Sequence, residues 1–368
     1  MKRLLTIGLP ILLIIAIGAV AAFWFSPTLQ DTVVARAVRE QLARSNQLSL
    51  DDNALRVVLC GTSSPLPLRN SAKACSLVIA GGQIFLIDIG PESTENLVIW
   101  RVPITKIETV FLTHFHSDHI GELAEFNMQG WVQGRREPLE VYGPEGVAQV
   151  VEGFNAAYAL DSGYRHAHHD KGKGLLPLGA SQMQPRTIAL VKPDSTPAGR
   201  QAVVYERGGV VVTAIEVDHR PVTPALAYRF DYRGRSVVIS GDTIYYPPLA
   251  AAARGADVLV SEAESHHLQN LIAAQAESMG ARTLAGVLRD TTSYHITPVQ
   301  AAQMANESGV RELVYTHIAP PIVKKALEVP WLRGVHDVRP EGVRLGHDGM
   351  VITIPLDGGP IKFSQLEG

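Results

Sequence analysis

The sequence predicts a mixed α/β domain, with two β-sheets packed face to face and helices outside. Three observations lead there. The chain has 368 residues, 46% hydrophobic and 19% charged, which suits one large core or two small ones and excludes a disordered chain. Its short β-rich runs, punctuated by glycine and proline, fall into two sets. Helical stretches interrupt both sets, and no repeat occurs at the short periods of solenoids.

The first element precedes the body. Lys2 and Arg3 lead into a nearly unbroken apolar run from Leu4 to Phe25, and crossing a bilayer as a helix takes roughly 20 residues. A membrane anchor is therefore expected over residues 1–29: an N-terminal transmembrane helix, single-pass in the inner (cytoplasmic) membrane. Lys2, Arg3 and the amino terminus keep that end inside and put the body outside the cytoplasm, although Arg36, Arg39 and Arg44 weaken the asymmetry. The other reading is a signal peptide cleaved near Ala19-Val20-Ala21, which gives a secreted protein. Phe23-Trp24-Phe25 reads better as an interfacial aromatic belt. The pattern VVARAVREQLA, within Asp31–Ser45, predicts a short amphipathic linker helix in residues 30–54.

The body, residues 55–368, opens with "LRVVLCGT", "CSLVIAGGQIFLIDIG", "KIETVFLTH" and "PLEVYGP". The second set is "AVVYERGGVVVTAIEVDH", "ALAYRFDYRGRSVVISGDT", "DVLVSEAE" and "ELVYTHI", with hairpin turns at Gly208-Gly209 and Arg233-Gly234. Thr297 and Pro298 open a helix that Gly309 closes. Cys60 and Cys75 lie in neighbouring apolar runs. A bridge between them is geometrically possible, but two buried thiols are the preferred reading. The net charge of −3 gives no global basic field, which argues against general capture of nucleic acid.

The polar residues are more specific. His114, His116, Asp118 and His119 crowd into "THFHSDH", while His219, Asp242 and His317 each follow a separate β-run. Strand ends on one rim can converge on one point. One metal ion needs about four nitrogen or oxygen donors. Seven candidates suit two ions about 3.5–4 Å apart sharing a carboxylate. His336 and His347 stand alone and read as structural or surface residues.

On these residues the sequence resembles the metallo-β-lactamase superfamily of hydrolases, in its ribonuclease Z and arylsulfatase-like branch. "CGTSSPLP" resembles the family's first strand and turn, "FLIDIG" the strand bearing a supporting aspartate (Asp88), "THFHSDH" the metal signature and "GDT" the bridging aspartate. The resemblance implies a four-layer αββα sandwich. It implies His114, His116 and His219 on one metal, Asp118, His119 and His317 on the other, and Asp242 bridging. Zinc is the expected pair of cations, because the donors are imidazole and carboxylate without thiolate; manganese and iron stay open. Asp118 then holds the attacking water. Glu262 and His295 match the family's glutamate–histidine pair, with His295 as general acid or holder of the ester oxygens. Glu264, His266 and His267 read as solvated helix-face residues.

The sequence departs from ribonuclease Z in one place. Its long glycine-rich, transfer-RNA-gripping arm, which follows the third-motif histidine, is absent, because His219 runs straight on to Asp242. The added material lies at about 151–201 and resembles an insertion of arylsulfatase-like relatives. It is expected to form a helix and a lid, in which Tyr158, Tyr164, Arg165, His166, His168 and His169 line a pocket or belong to a solvated loop. The expected function is a membrane-anchored dinuclear metal hydrolase of a small anionic ester, phosphodiester or sulfate. The alternatives are a ribonuclease Z-like endoribonuclease for transfer-RNA 3′ processing, or a non-catalytic anchored binding protein with a remnant site. A homodimer, as many relatives form, is left open.

Overall fold

The computed structural model describes residues 16, 18–43, 48–191 and 199–367. The chain divides into two units, Met1–Asn46 and Gln47–Gly368. In the first, helix α1 spans Pro27–Ala43. Pro27 takes the first helical position, where its missing N–H costs nothing, and Ser26 Oγ accepts from the Leu29 N–H at 3.3 Å. The linker helix expected from Asp31 thus begins four residues earlier, at this cap. Most of the Leu4–Phe25 run lies outside the described residues, among which no helix is long and apolar enough to cross a membrane.

The second unit is a sandwich. Its strands are β1 (Ala54–Gly61), β2 (Cys75–Ala80), β3 (Gln83–Ile87), β4 (Ile107–Phe111), β5 (Leu139–Gly143), β6 (Met183–Thr187), β7 (Gln201–Arg207), β8 (Val210–His219), β9 (Val222–Tyr232), β10 (Arg235–Ile239), β11 (Val258–Glu264), β12 (Glu312–Ala319), β13 (Val343–Leu345), β14 (Met350–Pro355) and β15 (Lys362–Gln365). Among the described residues they form one sheet in the order β15-β14-β1-β2-β3-β4-β5-β6 and another in the order β13-β12-β11-β10-β9-β8-β7.

Side-chain alternation explains the layering. Along β1, Leu55, Val57 and Leu59 enter the core between the sheets, where they join Phe85, Phe111 and Phe230, while Val58 and Cys60 face the outer side. That outer side is covered by helices α2 (Ser93–Ile99), α4 (Leu123–Val132) and α5 (Val147–Arg165) through Leu97, Leu123, Phe126, Val147 and Val151. A one-turn helix, α3 (Ser117–Ile120), lies between α2 and α4 in the chain. Helix α6 (Pro247–Ala252) covers the outer face of the second sheet through Leu249 and Ala250. The hairpin α7 (His266–Ser278) and α8 (Arg282–Thr291) follows, and α9 (Pro298–Ser308) packs Ala301, Met304 and Ala305 on the same face. The four layers are therefore helix, sheet, sheet, helix, as the sequence led us to expect. Thr297 as N-cap and the left-handed Gly309 bound α9 where the sequence puts them, and Gln300 completes a capping box with Thr297.

Register corrects the reading of the cysteines. β2 pairs with β1 with an irregularity between Leu59 and Gly61, and Cys60 and Cys75 form a disulfide across it, their Cα atoms 4.9 Å apart. The expected buried thiols are instead one cross-strand staple, because the bulge sets the two side chains against each other. Elsewhere direction matters more than register. β3–β6 run parallel, as do β10–β13, and β8 runs the same way as β10 because β9 is antiparallel to both. The carboxyl ends of β8, β10, β11 and β12 therefore share one rim, the usual place for a ligand site in such sheets.

Candidate metal centre

The donors arrive from three directions. After β4 the chain is pinned on both sides, by Leu112 N–H donating to Tyr142 O at 2.8 Å and Leu226 N–H donating to Thr113 O at 3.0 Å. His114 therefore emerges fully buried at the seam of the two sheets. His116 has extended backbone before α3, whose single turn buries Asp118 and His119. In the second sheet, β8 ends on His219 and β10 leads through Gly241 to Asp242. Gly241 has φ +58°, and a Cβ there would sit 2.4 Å from Leu226 O, so only glycine lets the chain turn towards the site. His317 holds φ +44° within β12, beside a register shift between Glu262 and Ala263 of β11. Such left-handed backbone at a non-glycine residue is costly and is kept where surrounding structure enforces it.

All seven expected ligands meet. Asp242 Oδ2 lies 3.4 Å from His119 Nε2, 3.6 Å from His317 Nε2 and 3.8 Å from the Nε2 atoms of both His114 and His219. His317 Nε2 is 3.1 Å from Asp118 Oδ2. The expected ligands fall into two donor groups, His114–His116–His219–Asp242 and Asp118–His119–His317, and a third, Asp242–His295–His317, overlaps them; within each the donor atoms lie inside 4.8 Å of one another.

The supporting bonds aim the rings inwards. Asp88 Oδ2 lies 2.8 Å from His119 Nδ1, and Asp88 also accepts from Thr113 N–H at 2.8 Å and Thr113 Oγ1 at 2.7 Å. His219 Nδ1 donates to Tyr294 O at 3.0 Å. These bonds leave the Nε2 atom of each ring for the centre. His119 Nε2, His219 Nε2 and Asp242 Oδ1 are buried without a hydrogen-bond partner.

Charge agrees with this geometry. Burial alone lowers the pKa of His119, yet the carboxylates of Asp242, Asp88 and Asp118 raise it well above the usual imidazole value. Burial likewise disfavours protonated His317, but Asp242 and Asp118 bring it to about 9. Asp118, against its own burial, is lowered to about 2 by His119 and His317. The pocket thus draws positive charge towards two buried carboxylates, and the unsatisfied nitrogen and oxygen atoms suit divalent cations.

The comparisons agree with the motif. Residues 84–318 match the family model described as a β-lactamase superfamily domain. A Mycobacterium bovis ribonuclease Z is 35% identical over 271 residues, covering 73% of this chain and 87% of that protein. A ribonuclease Z of Mycobacterium sp. is 32% identical over 296 residues, 80% of this chain and 94% of that one. The chain belongs to the metallo-β-lactamase superfamily, in its ribonuclease Z branch. Solved structures show the same fold. The short form of human tRNase Z superposes with a TM-score of 0.57 at 21% identity, over 82% of this chain and 99% of that one. A Bacillus subtilis metallo-β-lactamase fold protein gives 0.58 at 18% identity, over 82% and 99%.

Glu262 and His295, expected to pair, are in contact. Glu262 Oε1 lies 3.0 Å from His295 Nδ1 and accepts from the Thr243 N–H at 3.0 Å and the Ile296 N–H at 3.3 Å. Burial raises Glu262 well above the carboxylate range and lowers His295 below the imidazole range, so both are pushed towards their neutral forms. His295 Nδ1 is also 4.0 Å from Asp242 Oδ2, close enough to be counted among metal donors with Asp242 and His317. Because that nitrogen is engaged by Glu262, the free atom of the ring is Nε2, and the ring lines the cleft.

Three details differ from the sequence reading. Glu264 is not a solvated helix residue: β11 continues to Glu264, which is 1% exposed. Its N–H donates to Ile296 O at 2.8 Å, its Oε1 has no partner, and burial raises its pKa to about 7. His266, the first residue of α7, is half-buried with Nε2 3.1 Å from His295 O, while His267 is exposed as expected. Among its described residues the 151–201 segment forms no lid over the cleft. α5 packs on β5 and β6, the chain continues as a turn of π-helix over His166–Asp170, and residues 192–198 lie outside the described residues. Tyr158, Tyr164, Arg165, His166, His168 and His169 do not line the cleft. Its wall is instead the α7–α8 hairpin, whose Leu284, Val287 and Leu288 recur at helical spacing; that spacing was the available signal.

Proposed function

We propose that this chain is a metal-dependent phosphodiesterase of the ribonuclease Z type, holding two divalent cations, zinc first among them. The supporting observation is Asp242, which stands between both donor clusters and 4.0 Å from the His295 ring that Glu262 orients. Cations held by His114, His116 and His219 on one side and Asp118, His119 and His317 on the other would activate water and offset charge on a phosphoryl centre. Asp118, kept ionised, accepts a hydrogen bond from the attacking water. His295, its Nδ1 held by Glu262, presents Nε2 to the leaving or non-bridging oxygen; the ring is neutral when the site is empty, and the charge of a bound anionic ester would favour the imidazolium that can give that oxygen a proton. The relatives' names support a phosphodiester as the scissile bond over a sulfate ester, and precursor RNA is the first substrate to try.

A second substrate reading, a small anionic ester, has an observation of its own. β8 ends at His219 and β9 begins at Val222, so no arm is inserted between them. The Cys60–Cys75 disulfide supports placement in an oxidising compartment, and with it an anchor over residues 1–29 and a body outside the cytoplasm. Protease accessibility in intact and opened cells tests that placement, and sedimentation tests the homodimer.

One experiment separates the substrates. The full chain, supplied with zinc, is assayed on an aryl phosphodiester, an aryl sulfate, a lactone and a precursor transfer RNA, with His116→Ala as control. Hydrolysis of the phosphodiester, lost by orders of magnitude in His116→Ala, is expected. Turnover of the sulfate alone, or a control as active as the parent, overturns the proposal.

A further inference from the structure

The cleft over the metal-ligating residues has a wall that the chemistry above does not use. Its floor includes His116, Asp118, His295 and His317, and its volume is about 300 Å³, at the small end for a ligand site. Pro65 and Leu66, after β1, form one side. Across from them stand Leu284, Val287 and Leu288, which fall on one stripe of α8. Leu288 is 3% exposed and belongs to the packing, but Leu284 and Val287 keep 45% and 53% of their surface open. Apolar surface is thus left uncovered beside the reactive centre and continuous with it.

The charged residues narrow what could cover it. Among the described residues no lysine or arginine lines the cleft, while Asp118, Asp242 and Glu264 do. A nucleic-acid strand needs cationic side chains along its track, and single strands also need aromatic platforms. Among the described residues that line the cleft, Tyr294 is the one tyrosine, phenylalanine or tryptophan ring.

The geometry points to a substrate with one anionic diester centre and an apolar arm, alkyl or aryl, that lies against Leu284 and Val287. This rests on the phosphodiesterase reading and adds the substrate class. The diester sits on the floor, and what remains of the molecule extends along α8. Each methylene buried there strengthens binding by about fourfold.

Binding tests this apart from turnover. Calorimetry measures octyl, phenyl and methyl monoesters of methylphosphonic acid, and a dinucleoside monophosphate, on the full chain supplied with zinc. The variant is Leu284→Asn with Val287→Asn, two half-exposed positions where a neutral polar side chain removes the apolar surface without adding charge beside the anion. The octyl or phenyl ester should bind more than tenfold tighter than the methyl ester, and the variant should erase that advantage while holding the methyl ester unchanged. Whichever of the two leads tells an alkyl arm from an aryl one. Equal affinities in the parent, an advantage that survives in the variant, or tightest binding of the dinucleoside monophosphate overturns the inference. If the arm preference holds but no matching p-nitrophenyl diester is hydrolysed, the wall stands and the phosphodiesterase reading fails.

Discussion

Asp88 Oδ2 lies 2.8 Å from His119 Nδ1, and the opposite nitrogen of that ring lies 3.4 Å from Asp242. The imidazole is thereby fixed in one tautomer, with its free nitrogen turned to the centre. Asp88→Asn keeps the shape but swaps an acceptor for an ambiguous amide. Loss of such a supporting carboxylate lowers metal affinity by about 10–100-fold. Titration against a coloured chelator checks this, and an unchanged affinity would show that Asp88 does not orient the ligand.

Glu262 acts through His295. Glu262→Gln should leave metal content near that of the parent and cut phosphodiester turnover by about 10²–10⁴-fold, the usual range for a positioned proton donor. His295→Ala should cost about the same, and the double variant little more, because the two act as one unit. Losses that multiply would mean that they act separately.

The disulfide makes a prediction about stability alone. Cys60 and Cys75 are 15 residues apart, and closing a loop of that length restrains the unfolded chain by about 3 kcal/mol. Cys60→Ala with Cys75→Ala should lower the urea midpoint without changing the bound metal. A midpoint that does not move would remove the staple from the account of stability.

Glu264 predicts a pH dependence. Burial raises its carboxyl from the ordinary 4.5 to about 7 in the folded chain. Between those two values the folded state binds the proton and the unfolded state does not. This contribution to stability is therefore full below about 4.5, falls as pH rises, and is gone above about 7. Glu264→Gln should flatten that slope, so that relative to the parent it gains stability at pH 8 more than at pH 5. Urea titrations of both proteins at the two pH values check the sign.

What was legible in the sequence is what is local. "THFHSDH" places four donors within six positions, and alternation along runs such as "LRVVLCGT" sets which side chains enter the core between the sheets. The convergence of His219, Asp242 and His317 was legible because each follows a β-run and parallel strands end on one rim. The rest depended on register and on packing between distant segments. The cystine needs the bulge between Leu59 and Gly61. Glu264 is buried because Ser265 N–H still donates to Ala319 O at 2.7 Å, which carries strand-like pairing past the point where the pattern suggested helix. The cleft is lined both by α8 and by Pro65 and Leu66, more than 200 residues away in the sequence, a convergence that periodicity alone does not show.

The most direct measurement is metal content per chain after dialysis from saturating zinc, for the parent, His116→Ala and Asp242→Ala. Two equivalents are expected in the parent, a reduced content in His116→Ala, and the greatest loss in Asp242→Ala, whose carboxylate stands between both clusters. Less than one equivalent in the parent, or two retained by a folded Asp242→Ala chain, would contradict a shared dinuclear centre.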